Sequence, residues 1–129
     1  FDRVDDSVCA VRSALQEGIV AGGGLLLDTL AKEFKGDSAC DRILKETLES
    51  PMAQILKNAG LDVCRIYTKS LKKNEGYNVV TGEYGDMFEM GVIDPAKVTI
   101  QALSNAISVA TTILTTNAII THARIHTDA

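Results

Sequence analysis

Glu17-Gly18-Ile19-Val20-Ala21-Gly22-Gly23-Gly24-Leu25 is the stretch from which the architecture can be read outward. On its N-terminal side Val4, Val8, Val11 and Leu15 recur at spacings of four, three and four, the apolar stripe of an amphipathic helix. Gly18 ends that helix, because glycine accepts the left-handed backbone that closes a last turn. On its C-terminal side Leu25 to Phe34 is again helix-like, with Gly36 as its stop. The expected local plan is helix, glycine turn, helix.

Further along, Asp37 or Ser38 can cap a third helix running to about Leu48, with Cys40, Ile43, Leu44 and Leu48 on one face. Ser50-Pro51 predicts a fresh start, since serine accepts orphan amide bonds and proline is tolerated at the first helical position. That fourth helix should end near Gly60, and Asp62 to Leu71 reads as a shorter fifth, followed by a polar loop over Lys72 to Gly76. From Tyr77 the period changes. Tyr77 to Val80, Thr81-Gly82 and Glu83-Tyr84 read as a hairpin, with Gly82 supplying the positive backbone angle of a tight turn. Asp94-Pro95 is a second helix start, the aspartate as cap and the proline as opener. From Ala96 to about Leu114 apolar residues occupy nearly every side, the pattern of a helix buried at the centre of a fold. Asn117 to His126 alternates by two, which indicates a terminal strand. A lone strand needs a partner, so this one should pair outside the segment.

The composition suits this plan. A chain of 129 residues is the size of one domain and can bury roughly two-thirds of the surface its unfolded form exposes. Hydrophobic residues at 46% and charged residues at 23% are an ordinary globular balance, which argues against disorder. With aromatics at 5% and no Trp, the core must be aliphatic. Net charge is -4, and among scattered basic residues only Lys69, Lys72 and Lys73 lie close together, so no nucleic-acid partner is expected. Cys9, Cys40 and Cys64 are odd in number and form no C-x-x-C pair; they read as reduced core residues of an intracellular compartment. No apolar run approaches the roughly 18 to 20 residues that span a bilayer, so a soluble protein without a membrane partner is expected. The start at Phe1 suggests a fragment or processed product.

Several residues invite a chemical reading. The glycine triplet could let an anion approach the backbone at a helix start, but without a phosphate-loop or dinucleotide motif a hinge is the simpler reading of the spacing. Asp5-Asp6 sits in the first turn of the opening helix, where carboxylates complement the dipole, and Asp94 is first of all a cap. His122 and His126 lie in strand-like sequence without a third ligand, so no metal site and no triad is expected.

Three blocks together carry a resemblance. Asp2-Arg3-Val4-Asp5-Asp6 leads through Ala10 and Arg12 to Glu17-Gly18-Ile19-Val20-Ala21-Gly22-Gly23-Gly24. Gly76-Tyr77-Asn78 continues to Glu83-Tyr84-Gly85 and Met87, then to Met90-Gly91-Val92-Ile93-Asp94-Pro95-Ala96-Lys97-Val98. Ala102-Leu103 runs through Ser108-Val109-Ala110 to Thr115-Thr116. In order and spacing these resemble the C-terminal third of group I chaperonins of the GroEL type.

The resemblance implies a mainly α-helical, equatorial-domain-like bundle with a small β-hairpin and a C-terminal strand. Residues 1–17 would end an intermediate-domain helix, 18–129 would form the second half of an equatorial ATPase domain, and Gly18 would be the hinge between them. It implies an ATP/ADP site in which the Gly23 backbone lies against the nucleotide, Asn78, Val79 and Val80 border the adenine, Val92 lines the pocket and Asp94 accepts the ribose hydroxyls. Asp6 would be catalytic, orienting the water that attacks the γ-phosphate. Val79 and Val80 stand where the family usually has alanines, so a tighter pocket is expected. The family's phosphate loop of the G-D-G-T-T-T kind and its Mg ligand would lie outside this segment, which alone should be inactive. The implied parent is an ATP-dependent folding chaperone forming a homo-oligomeric ring, with unfolded client proteins as partners, in bacterial-type cytoplasm or an organelle matrix; the resemblance leaves open whether it works with or without a lid co-chaperonin. The competing reading is a non-enzymatic helical interaction module with a glycine hinge.

Overall fold

The computed structural model describes residues 2–67 and 74–121. Its elements run α1 (Asp2–Glu17), β1 (Ile19–Ala21), α2 (Leu25–Glu33), α3 (Ala39–Asn58), α4 (Val63–Tyr67), β2 (Glu75–Asn78), β3 (Glu83–Asp86), β4 (Ile93–Pro95) and α5 (Ala96–Leu114). The fold is mainly α-helical, with two small antiparallel sheets, β1–β4 and β2–β3.

Gly18 closes α1 as expected, with φ +86° and its N–H donated to the Ala14 carbonyl at 2.8 Å. The plan of helix, glycine turn and helix omitted a strand. Ile19–Ala21 pairs with β4 in the register Ile19↔Pro95, Val20↔Asp94, Ala21↔Ile93. Three residues are too few to show a period, and the partner lies far along the chain.

The start of α3 follows the sequence closely. Ser38 Oγ accepts the Asp41 N–H at 3.2 Å while Ser38 N–H donates to the Asp41 carboxylate at 2.9 Å, a reciprocal capping box. The bond with the Ser38 side chain, and next the one from the Ser38 backbone, hold the Asp41 carboxyl below its ordinary range.

Ser50-Pro51 does not begin a new helix. The third and fourth helices of the sequence reading are one 20-residue helix with Pro51 inside it. Proline removes the N–H that would bond the carbonyl four residues back, here that of Thr47. The Ser50 hydroxyl donates to that carbonyl instead, at 2.8 Å, so the helix continues. Of the expected fifth helix, Val63–Tyr67 is helical; Asp62 precedes it, its carboxylate accepting the Cys64 N–H at 2.9 Å, and residues 68–71, with the trio Lys69, Lys72 and Lys73, fall outside the described residues.

In the hairpin, Tyr77 pairs with Tyr84 and Gly76 with Gly85. The tyrosine rings meet edge to face with centroids 4.8 Å apart. β2 ends at Asn78, so Val79 and Val80 belong to the turn, where Gly82 has φ +75°. At the start of α5 the residue flanking the helix is Pro95, with no side-chain cap. Asp94 is a β4 residue rather than the cap, because its backbone is committed to the pairing with Val20.

The core gathers Ala21, Leu25, Met52, Leu56, Ile66 and Met87, with Leu61, Val63, Tyr77, Tyr84, Met90 and Val92 packed against it. It is aliphatic, as expected, but all three methionines of the chain take part. One charged group is also buried. Asp28 is fully buried, with Oδ2 accepting from Lys32 at 2.7 Å and Oδ1 without a partner among the described residues. The three cysteines, expected in the core, are exposed and free; they sit on the outer faces of α1, α3 and α4.

The largest departure is α5, which was expected to be central and has no buried residue. It packs against α1 and β4, while Ile100, Ile107 and Val109 remain exposed. A helix apolar on every side needs neighbours on every side, and the described residues supply only some. Residues 116–121 form no strand, and the rest of the expected terminal strand, with His122 and His126, lies outside the described residues. No described helix is long and apolar enough to cross a membrane.

Candidate functional site

The β1–β4 pairing is what builds a site. It brings the glycine turn against the segment that follows the hairpin, and Gly22 N–H bonds to the Val92 carbonyl at 2.9 Å. Space at Gly22 is tight: a Cβ there would lie 3.1 Å from the Val92 carbonyl carbon, so the β4-side backbone would have to give by a few tenths of an ångström. Gly23 and Gly24 then turn through φ +68° and +78° into α2. On the other side, Asn78 Oδ1 accepts the Val80 N–H at 2.9 Å and the Thr81 N–H at 3.4 Å. These bonds fix the hairpin turn.

Between the two walls is a cavity of about 130 Å3. It is lined by Gly23, Leu25, Met52, Ile55, Leu56, Gly76, Tyr77, Asn78, Val79, Val80, Met87 and Val92. Five of the residues singled out in the sequence, Gly23, Asn78, Val79, Val80 and Val92, thus share one cleft. A site enclosing a whole small molecule has several hundred Å3. This cleft can take one apolar-faced ring, with the rest of a ligand outside.

Asp94 does not line that cleft. It stands on a neighbouring groove of about 560 Å3, lined also by Ala21, Gly24, Pro51, Ile55 and Val98. Gly23 and Gly24 are adjacent in the turn, and Ile55 lines both spaces, so cleft and groove are neighbours across the glycine turn. Asp94 is exposed, yet it sits on an apolar wall, and loss of water there raises its carboxyl above the ordinary value of 3.8. A carboxylate with that handicap gains from donors that favour its ionised form. Asp6 is exposed on α1 and lines neither space. Among the described residues no group of three or more His, Cys, Asp or Glu could hold a metal ion.

The sequence reading missed the floor of the cleft, Met52, Leu56 and Met87, and the close approach of Gly76. Met87 stood in a quoted block without a role. A methionine in an apolar run carries no signal that separates a cleft floor from ordinary core.

The model of the TCP-1/cpn60 chaperonin family matches residues 2–124 of the chain. The chain belongs to that family. A crystal structure of a group III chaperonin in the open state is 28% identical in sequence and superposes with a TM-score of 0.73 over 84% of this chain. The chain covers 25% of that chaperonin's length. Family and fold together make this a section of chaperonin-type structure in which the cleft lies between the glycine turn and the hairpin.

Proposed function

We propose that this chaperonin chain supplies half of an ATP site in a subunit that folds other proteins at the expense of ATP hydrolysis. The observation that carries the reading is the convergence of Gly23, Asn78, Val79, Val80 and Val92 on one cleft, with Asp94 beside it. In this reading the adenine enters the cleft, where apolar walls suit its faces. Asn78 spends Oδ1 on its own turn, so a bond to the base comes from its amide donor. The ribose hydroxyls donate to Asp94.

Hydrolysis then depends on Asp6. We assign residues 1–17 to a segment that pivots at Gly18 relative to residues 18–129. Gly18 has a positive φ, and a Cβ added there would meet nothing within 4 Å, both suited to a pivot. Its carbonyl accepts the Ala96 N–H at 3.1 Å, and α1 rests on α5, so these contacts must rearrange as the segment turns. Rotation carries Asp6 toward the γ-phosphate, where its carboxylate holds the attacking water in line; the water oxygen bonds to γ-phosphorus as the bond to the bridging oxygen breaks, giving ADP and inorganic phosphate. Positioning of this kind is most of what a protein contributes to phosphoryl transfer. Any magnesium ion accompanying the nucleotide takes its protein ligands from elsewhere in the subunit. The same reading includes a homo-oligomeric ring, unfolded clients and a cytoplasmic or organellar setting, and is compatible with working with or without a lid co-chaperonin.

The test is Asp6→Ala in the full subunit. Nucleotide affinity stays within about twofold while single-turnover hydrolysis slows at least about 100-fold, the scale of a lost water-orienting group. Unchanged turnover removes Asp6 from the mechanism. Failure of the unaltered subunit to bind ATP removes the whole reading and favours a helical interaction module, for which the exposed apolar residues of α1 and α5 are the supporting feature.

A further inference from the structure

We propose that Met87 is the specificity-determining spacer of the cleft: its thioether holds the two glycine-bearing walls apart and fixes which ring fits between them. The proposal rests on the reading that the cleft takes a nucleotide base.

Met87 is 2% exposed and follows β3 directly. Its main chain is fixed at both ends, the N–H donating to the Asn74 carbonyl at 3.0 Å and the carbonyl accepting from Val92 N–H at 2.8 Å. The side chain therefore starts from a set point. From there it reaches both walls. A Cβ built on Gly76 would lie 2.7 Å from Met87 Sδ and 2.9 Å from Cγ, and one built on Gly23 would lie 3.0 Å from Cε. The two glycines need separate explanations. Gly23 has φ +68°, which alone favours glycine. Gly76 lies in β2 and is not among the residues with positive φ, so space, and the Met87 sulfur in that space, is the reason a side chain is absent there. Thioether and bare backbone are complementary halves of one contact.

Two changes should act in opposite senses. Met87→Ala removes the spacer and deepens the cleft. Gly76→Ala drives the thioether into it. The experiment measures equilibrium binding of ATP and of ATP analogues enlarged at C2, N6 or C8 of the base, in the full-length subunit. Met87→Ala is expected to shift the preference for at least one enlarged analogue over ATP by about tenfold relative to the unaltered subunit, equivalent to about 1.4 kcal/mol. Gly76→Ala should weaken ATP by a similar factor, and Gly76→Ala/Met87→Val should recover most of it, which also tests the contact if Met87→Ala does not fold. Preference is a ratio within one variant, so a reduced folded fraction cancels from it, and a merely structural role would leave it unmoved. If the unaltered subunit binds ATP but no variant changes preference and the double variant recovers nothing, the spacer role is overturned and the base reading stands. If the unaltered subunit binds no ATP, both fall.

Discussion

Gly24 offers the sharpest test of how the glycine turn is seated. It has φ +78°, and a Cβ there would lie 2.8 Å from the Met52 backbone nitrogen and 3.0 Å from its Cα. Gly24→Ala therefore meets two obstacles. The left-handed conformation costs an alanine about 1–2 kcal/mol, and forcing a methyl against helix backbone costs about 1–3 kcal/mol more. Gly60 is the control, with φ +73° and nothing within 4 Å of an added Cβ; only the conformational cost of about 1–2 kcal/mol applies. Native-state hydrogen exchange of the α2 and α3 amides reads both, because it reports the free energy of local opening. Gly24→Ala should speed exchange by a factor of about 30 to 5,000, and Gly60→Ala by about 5 to 30, at tenfold per 1.4 kcal/mol. Equal factors for the two variants would refute the claim that α3 packs on the backbone of the turn.

Asp94 and Pro51 give further tests. With its carboxyl raised by desolvation, the contribution of Asp94 to stability is full below its unfolded pKa and is lost as pH rises through its folded pKa. In the proposed function nucleotide binding runs the other way, because the ribose hydroxyls would donate to the ionised carboxylate. Affinity measured against pH should therefore fall, on acidification, at a higher pH than an ordinary aspartate would give. Asp94→Asn should remove that pH dependence and weaken ATP while leaving the nucleotide-free protein no less stable at neutral pH; an unchanged pH profile would exclude Asp94 from the site. In α3, Pro51→Ala restores a backbone donor to Thr47 and should stabilise the helix by up to about 3 kcal/mol, read as slower α3 exchange. Ser50→Ala should do the reverse by about 1 kcal/mol, and only while Pro51 is present.

What the residues spelled out locally was what depends on neighbours along the chain. The helical course of α1, though its apolar stripe is left exposed, the Ser38 cap, the Gly82 turn and the extent of α5 all follow from periodicity, from a side chain that can accept an orphan N–H, and from backbone angles that few residues accept. Motif order also nominated Gly23, Asn78, Val79, Val80, Val92, Asp94 and Asp6 before any geometry was known; the first five line one cleft, Asp94 lines the neighbouring groove and Asp6 lines neither. Tertiary structure decided the rest. Ile19 faces Pro95 across a sheet of three-residue strands, a pairing without any local signature, and that pairing is what brings the glycine turn to Val92 and takes Asp94 out of its capping role. Pro51 was read by its own preference, which a hydroxyl one residue earlier overrides. Met87 became a cleft floor only when Gly23 and Gly76 closed on it from two directions. Local patterns encode backbone conformation; a site needs distances between residues remote in sequence, and those are fixed by packing alone.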